Sequence, residues 1–118
     1  MELKGPTPIL YVEDIEQTVR FYCDVLGFRC VNRTEGWVAL EREEAEIMIS
    51  LPNAHIPFKK ASFTGSFYFR TNDVDSLWEE LRQKTLIVYP IEPFEYGMRE
   101  FALSDVNGYV LQFGQKIA

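Results

Sequence analysis

The sequence predicts an α+β fold in which two βαβββ modules form curved antiparallel sheets around a cleft. An internal repeat is the first sign of it, because Asp14 and Asp73 each precede a helical stripe of apolar residues and lie half a chain apart. The second sign is the end of the chain, where two alternating strand patterns flank Asn107-Gly108. We expect a two-residue hairpin turn there, because both residues tolerate a positive φ.

The first half contains the elements of one module in order. Asp14 is the expected N-cap of a helix that Gly27 ends, with Gln17 at the capping-box position. The apolar stripe of that helix is Ile15, Val19, Tyr22 and Leu26. The predicted strands are Ile9–Val12, Phe28–Asn32, Trp37–Arg42 and Glu46–Leu51.

The second half repeats this order after a stretch without periodicity, Pro52 to Lys60, which also contains the sole histidine, His55. We interpret that stretch as a linker and His55 as a surface residue. The chain is expected to be one domain, 1–118, with modules at about 1–52 and 62–118. The predicted elements are a strand at Gly65–Thr71, a helix with the stripe Val74, Leu77, Trp78 and Leu81, a weaker strand at Leu86–Pro90, and the closing hairpin within Tyr96–Phe113.

Composition excludes several functional classes. A net charge of −6 disfavours nucleic acid, whose phosphates require a basic surface, and is compatible with cationic partners. No apolar run approaches the roughly 18 residues of a membrane span, and no secretory signal opens the chain, so we expect a cytoplasmic protein without membrane contact. Cys23 and Cys30 are too few for a disulfide framework and are expected to stay reduced.

Two stretches resemble a known family. PILYVEDIEQTVRFYCDVLGF resembles the opening βα unit of the vicinal oxygen chelate superfamily, which includes glyoxalase I, extradiol dioxygenases, fosfomycin-resistance enzymes and bleomycin-resistance proteins. REFALSDVNGYVLQF resembles its closing hairpin, although Val106 replaces the usual Pro and Tyr109 the usual Asn. GWVALER and YGMREFAL are most similar to the bleomycin-resistance branch.

The resemblance also indicates where a metal would bind in enzymes of this superfamily. Carried over by position, the metal-binding residues fall on Thr7, Ser66 and Gln112, and on Ser50 or, with a shifted register, Met48. A catalytic metal typically needs three protein ligands, usually imidazole or carboxylate. These positions carry neither, so we expect no metal and no cofactor, and we incline towards a protein that is not an enzyme.

The alternation of strand residues predicts which side chains face the cleft. Aromatic surfaces are expected from Trp37, Tyr11 and Tyr68, and the resemblance adds Tyr96, where bleomycin-resistance proteins have a Trp before Gly. The remaining predicted ligand-binding residues are Met48, Met98, Glu41, Glu46, Glu100 and Arg70. Alternative interpretations stay open, because strand-end glutamates are often solvated, Arg70 could pair with one of them, and Tyr96 could pack on the hairpin.

These residues favour a protein that sequesters a cationic, partly aromatic antibiotic of the bleomycin type without catalysis. Aromatic faces stack on planar groups and attract cations, and carboxylates complement a positive ligand. The alternatives are a metal-independent enzyme of the same superfamily, with a glutamate or Tyr68 as acid or base, and a binder of an unrelated metabolite. We also expect a homodimer, as is common in this family and among oligomers in general.

Overall fold

Each half of the chain folds into one four-stranded sheet with its own helix. The computed structural model describes residues 1–53 and 58–117. It divides into a first unit, Met1–Ala61, and a second unit, Ser62–Ala118. The order of elements in each unit is βαβββ, which confirms the predicted α+β class.

In the first unit the strand order across the sheet is β1-β4-β3-β2. The elements are β1 (Ile9–Tyr11), α1 (Ile15–Arg20), a π-helical turn (Phe21–Val25), β2 (Arg29–Thr34), β3 (Trp37–Arg42) and β4 (Ala45–Ser50).

In the second unit the equivalent order is β5-β8-β7-β6. The elements are β5 (Phe67–Arg70), α2 (Val74–Leu81), β6 (Leu86–Phe94), β7 (Met98–Ser104) and β8 (Val110–Lys116).

The sheets are mixed, whereas the sequence predicted antiparallel sheets. In each sheet the first strand pairs in parallel with the last one, β1 with β4 and β5 with β8. The helix returns the chain, so that the next strand runs in the same direction as the first. Three antiparallel strands then give the last strand that direction again, which makes the closing pair parallel.

Both predicted helix starts are confirmed at the atomic level. The Asp14 carboxylate accepts the backbone N–H of Gln17 at 2.9 Å, and the Asp73 carboxylate accepts that of Ser76 at 3.2 Å. Each bond satisfies one of the backbone donors that a helix start leaves unpaired. Gly27 has a φ of 76°, in agreement with its predicted place after the first helix.

The first helix ends differently from the prediction of one continuous α-helix. It continues after Arg20 as the π-helical turn, in which the Leu26 N–H donates to the carbonyl of Phe21 at 3.1 Å. Tyr22 and Leu26 are both buried in this arrangement, whereas Val19 of the predicted stripe is half-buried. Thr18 takes a core position, and its hydroxyl donates to the Asp14 carbonyl at 2.8 Å.

The closing hairpin forms, but the prediction of a two-residue turn at Asn107-Gly108 was wrong. Asp105 N–H donates to the carbonyl of Tyr109 at 2.8 Å, so three residues form the loop, and of these only Gly108 has a positive φ, of 97°. The Asp105 carboxylate accepts the N–H groups of Asn107 and Tyr109, which holds the longer loop in place of a tight turn.

The predicted weak strand at Leu86–Pro90 is the longest in the fold as described, with nine residues in β6. Two irregularities interrupt its pairing with β7, between Ile87 and Tyr89 and between Tyr89 and Glu92. Pro90 lies in the second interruption, where a missing backbone donor does not break a regular ladder.

Each sheet packs one apolar face against its helix, as the alternation predicted. In the second unit the ring of Trp78 on α2 lies 5.1 Å from that of Phe101 on β7. The buried residues of the first unit include Leu10, Val12, Val38, Leu40, Ile47 and Ile49 from the strands, and those of the second include Val74, Leu81, Phe101, Leu103, Leu111 and Phe113.

Within the described ranges, no helix is both long and apolar enough to cross a membrane. Cys23 and Cys30 are free thiols. His55, assigned to the surface from the sequence, lies outside the described residues.

Candidate functional site

The most unusual side chain of the second unit is a buried carboxylate. Glu100 lies on β7, on the face of the sheet opposite α2, because its neighbour Phe101 contacts that helix. Its side chain is 0% exposed. Carboxylates are almost never fully buried unless they are paired, so this position requires a physical explanation. The alternative interpretation of Glu100 as a solvated strand-end residue was wrong.

Three neutral groups donate hydrogen bonds to this carboxylate. The Tyr68 hydroxyl donates to Oε1 at 2.8 Å, and the Tyr89 hydroxyl donates to Oε2. The Gln112 amide donates to Oε2 at 3.2 Å and to the Tyr89 oxygen at 2.7 Å. These donors come from β5, β6 and β8, so each of the three remaining strands of the sheet supplies one.

The network moves the pKa values of its acidic groups apart. Burial alone would raise the pKa of Glu100, but the interactions with Tyr89, Tyr96, Tyr68 and Gln112 lower it below its usual value. Burial and the Glu100 carboxylate raise the pKa of Tyr89 to about 12, and the same two causes raise the pKa of Tyr96 to about 12. The pKa of Tyr68 is raised for these reasons as well. At neutral pH the site is therefore one carboxylate among neutral phenols.

Gly114 makes room for this arrangement. It is the ladder neighbour of Glu100 on one side and of Arg70 on the other. A Cβ at Gly114 would lie 2.0 Å from the Tyr68 hydroxyl oxygen, which is far inside van der Waals contact. Tyr68 thus crosses above a glycine to reach Glu100 from two strands away.

No cation neutralises Glu100 within residues 1–53 and 58–117. The arginine ion pairs in these residues go to other carboxylates, and the pKa of Glu100 reflects burial, which raises it, and hydrogen bonds, which lower it, with no positive charge among the causes. Arg70, predicted as a possible partner, is exposed and forms no ion pair in the described part of the chain. The buried charge is hydrogen-bonded but not compensated.

The metal-equivalent residues of the second unit do not fit a divalent cation. The Ser66 hydroxyl donates to Gln112 Oε1, and the Gln112 amide nitrogen is directed at Glu100. The amide oxygen that could bind a metal is therefore occupied, and the nearby amide presents donors. No group of three or more His, Cys, Asp or Glu residues with metal-binding geometry occurs among the residues that the structure describes.

In the first unit the equivalent positions form a different contact. The Thr7 hydroxyl donates to Glu46 at 3.1 Å. Met48 pairs with Ile9 and Ala39 in the same way as Gln112 pairs with Tyr68 and Ala102. Met48, rather than Ser50, is therefore the internal counterpart of Gln112, and its thioether is a poor ligand for hard divalent cations.

The other predicted site residues of the first unit lie on the same sheet and make separate contacts. The Tyr11 ring is 6.2 Å from that of Phe58 in an edge-on arrangement, and its hydroxyl accepts the Asn53 amide at 2.9 Å. Glu41 pairs with Arg29 at 3.5 Å and is partly solvated. Trp37 is half-buried at the start of β3, next to Ser50 in the ladder.

Three of the predicted ligand-binding residues, Tyr68, Tyr96 and Glu100, lie together in the second unit, and Met98 is half-buried two residues before Glu100. Sequence reasoning missed Tyr89 and Phe94, whose rings lie 5.6 Å apart, with Phe94 stacked on Tyr96 at 5.4 Å. The strand pattern around Tyr89 was the available signal, and Tyr89 pairs with Ala102, which lies two residues from Glu100 and therefore on the same face of β7. The low strand propensity around Pro90 obscured it.

Solved structures share this fold at low sequence identity. A protein of unknown function from Agrobacterium tumefaciens str. C58 is 22% identical, with a TM-score of 0.82 over 99% of this chain and 97% of that one. TioX from Micromonospora sp. ML1 is 18% identical, with a TM-score of 0.74 over 96% of this chain and 100% of that one. A glyoxalase-related enzyme from Fulvimarina pelagi is 15% identical, with a TM-score of 0.79 over 97% of this chain and 89% of that one.

A comparison with curated proteins gives no significant match. The family model described as Glyoxalase/Bleomycin resistance protein/Dioxygenase superfamily matches residues 6–113, which is most of the sequence. The predicted resemblance is thereby confirmed, and the chain belongs to the glyoxalase/bleomycin resistance protein/dioxygenase superfamily.

Proposed function

We propose that this chain is a small-molecule-binding protein that sequesters a cationic, partly aromatic compound of the bleomycin type without catalysis. The observation that carries the proposal is the buried, uncompensated carboxylate of Glu100, which accepts a hydrogen bond from the partly exposed Tyr68. A cationic ligand supplies the missing positive charge, and its planar part stacks on the rings.

Electrostatics supports a cationic ligand over a neutral or anionic one. A charge shielded from direct contact with water is less screened than a solvated carboxylate, so its field extends more strongly to the adjacent surface. Tyr68, which donates to Glu100, is 41% exposed, and Tyr96 is 62% exposed, so accessible aromatic surface adjoins this charge. A cation resting on these rings gains both from their π faces and from the carboxylate behind them.

The titration behaviour of the site disfavours the metal-independent enzyme. A general acid or base works best with a pKa near the working pH. Here the pKa of Glu100 is lowered and those of the tyrosines are raised, so each group moves away from neutrality. Both Glu100 oxygens also already accept hydrogen bonds, which suits a fixed charge better than a proton carrier.

A thermal-shift screen tests the proposal directly. Metal-free and copper-loaded bleomycin would be compared with a panel of cationic, neutral and anionic metabolites. A ligand present at 100 times its Kd stabilises the folded state by about 2.7 kcal/mol, which such a screen detects. We expect stabilisation by cationic aromatic compounds, weakened in Glu100→Gln.

Glu79→Gln is the matched control for that variant. Glu79 lies on α2, on the opposite side of the second sheet, where it pairs with Arg82 at the surface. The change removes the same charge without touching the tyrosines. A screen in which only anionic or neutral compounds stabilise the protein would contradict the proposal. Stabilisation by an unrelated cationic metabolite would support the cation site but contradict a ligand of the bleomycin type.

We also propose a homodimer, which is the commonest closed assembly of a single kind of chain. Ile9 on the edge strand β1 is 55% exposed, which leaves apolar surface at a sheet edge. Light scattering coupled to size exclusion at micromolar concentration measures the mass directly. A single species with the mass of one chain would rule out the dimer.

A further inference from the structure

We propose that the Glu100 site selects a fully alkylated ammonium group over a primary ammonium or a guanidinium. The inference rests on the proposed function and specifies the chemical class of its cation. It follows from how the hydrogen-bonding capacity around Glu100 is used, rather than from charge alone.

Three hydrogen bonds already use most of the acceptor capacity of the Glu100 carboxylate. Glu100 Oε1 accepts the Tyr68 hydroxyl, and Oε2 accepts both the Tyr89 hydroxyl and the Gln112 amide. The Tyr89 oxygen accepts the Gln112 amide as well, and Gln112 Oε1 accepts the hydroxyl of Ser66. A ligand that reaches this surface finds negative potential but, on the carboxylate itself, only Oε1 with capacity for a new N–H, besides the tyrosine hydroxyl oxygens.

This arrangement distinguishes cations by their donors. A primary ammonium has three N–H donors and a guanidinium has five, and each donor that leaves water without finding an acceptor is costly. A quaternary ammonium has no N–H donor and is attracted only by charge and by aromatic faces. The site therefore offers a quaternary ammonium its full interaction and a primary ammonium only part of it.

The aromatic surroundings match that class of ligand. The Tyr68 and Tyr89 hydroxyls both donate to the Glu100 carboxylate, and Tyr96 lies close enough to it to lower the pKa of Glu100, so three tyrosines converge on one carboxylate. Phe94 contacts two of these rings, edge-on to Tyr89 and stacked on Tyr96. Groups of aromatic rings around a cation are a recurrent way of recognising quaternary ammonium ligands.

The test compares two probes that share a ring and a charge. Benzyltrimethylammonium and benzylammonium differ at the nitrogen, and their Kd values for the native protein would be measured by NMR titration. We expect benzyltrimethylammonium to bind about tenfold or more tightly than benzylammonium, since its nitrogen leaves no donor unpaired. This comparison needs no variant and so does not depend on folding of a mutant.

Tyr68→Phe tests whether the occupied acceptors cause the selectivity. The change keeps the ring but removes the hydroxyl that occupies Glu100 Oε1. With that oxygen free to accept an N–H, benzylammonium should bind more tightly and the preference for benzyltrimethylammonium should fall about fivefold or more. Glu79→Gln, on the helix side of the sheet, should leave the preference unchanged.

The outcomes separate this inference from the function on which it rests. Equal Kd values for the two probes on the native protein would overturn the selectivity and leave cation binding intact. An unchanged preference in a folded Tyr68→Phe variant would overturn the acceptor argument. Failure of both cations to bind, with neutral aromatic compounds binding instead, would overturn the proposed function itself.

Discussion

The two sheets have equivalent strand orders and equivalent registers, yet their faces opposite the helices carry different chemistry. Trp37 pairs with Ser50 in the first sheet, and Glu100 pairs with Gly114 at the corresponding place in the second. A tryptophan and a buried carboxylate thus occupy equivalent positions. The frame of hydrogen-bonded strands sets where a side chain points, but not what it does there.

The difference extends to the neighbours, which have to match. The first sheet has Ile9 and Met48 where the second has Tyr68 and Gln112. An isoleucine and a methionine could not satisfy a buried carboxylate, whereas a tyrosine hydroxyl and an amide can. Glu100 is therefore tolerated because its partners and the space above Gly114 are present together.

The largest effect is expected when the buried charge is removed. Glu100→Gln should lower the free energy of unfolding by about 3 kcal/mol, because hydrogen bonds to a charged group contribute about 1.5–3 kcal/mol each and an amide offers one acceptor atom instead of two. Urea unfolding at neutral pH measures the change. Glu79→Gln should stay within about 0.5 kcal/mol of the native value, and an equally small effect of Glu100→Gln would mean that the network contributes nothing.

Alanine substitutions at Gly114 and Ser50, which occupy equivalent positions, compare the two sheets again. Gly114→Ala should destabilise the protein by about 1–3 kcal/mol, because the new Cβ forces Tyr68 away from Glu100. Ser50→Ala should cost about 1 kcal/mol or less, because the Ser50 hydroxyl bonds only the neighbouring Leu51 carbonyl in the described structure. Thermal unfolding of both variants measures the difference, and equal shifts would contradict this account of Gly114.

Trp37 tests whether the first sheet binds a ligand on its own face opposite the helix. Trp37→Ala should weaken binding of a cationic planar ligand by about 1–3 kcal/mol, through lost stacking and lost apolar contact. Isothermal titration calorimetry on the folded variant measures the effect. Full-strength binding would confine the site to the second sheet, and loss of folding would identify Trp37 as a structural residue.

Alkaline titration gives the smallest expected effect and concerns the second sheet. The pKa values of Tyr89 and Tyr96 lie at about 12 in the folded protein, above the ordinary value of 10.0. The unfolded chain therefore loses these protons first, so stability is intact below pH 10 and falls as the pH rises towards 12.

Tyrosinate absorbance follows this titration. Three tyrosines, Tyr68, Tyr89 and Tyr96, should ionise late in the native protein and earlier in Glu100→Gln, where the repelling carboxylate is gone. Ionisation of all tyrosines near their ordinary pKa would contradict the proximity of the phenols to Glu100.

Much of the fold follows from short-range patterns. Asp14 and Asp73 cap their helices through side chains that reach three residues along the chain, so the sequence determines these starts. Alternation assigned Phe101 and Leu103 to the helix side and therefore Glu100 to the other face. The family resemblance rested on the same local stretches.

The site depended on contacts between strands that are distant in sequence. Glu100 and Tyr68 are 32 residues apart, and their hydrogen bond requires β5 to lie next to β8 and β8 next to β7. The role of Gly114 exists only because a tyrosine crosses above it, and Tyr89 joins the face only through an interrupted ladder. The sequence by itself determined the faces of the strands, since alternation is a property of one strand. Only the tertiary structure decided that one glutamate is buried among phenols, because burial and hydrogen bonding depend on which strands become neighbours.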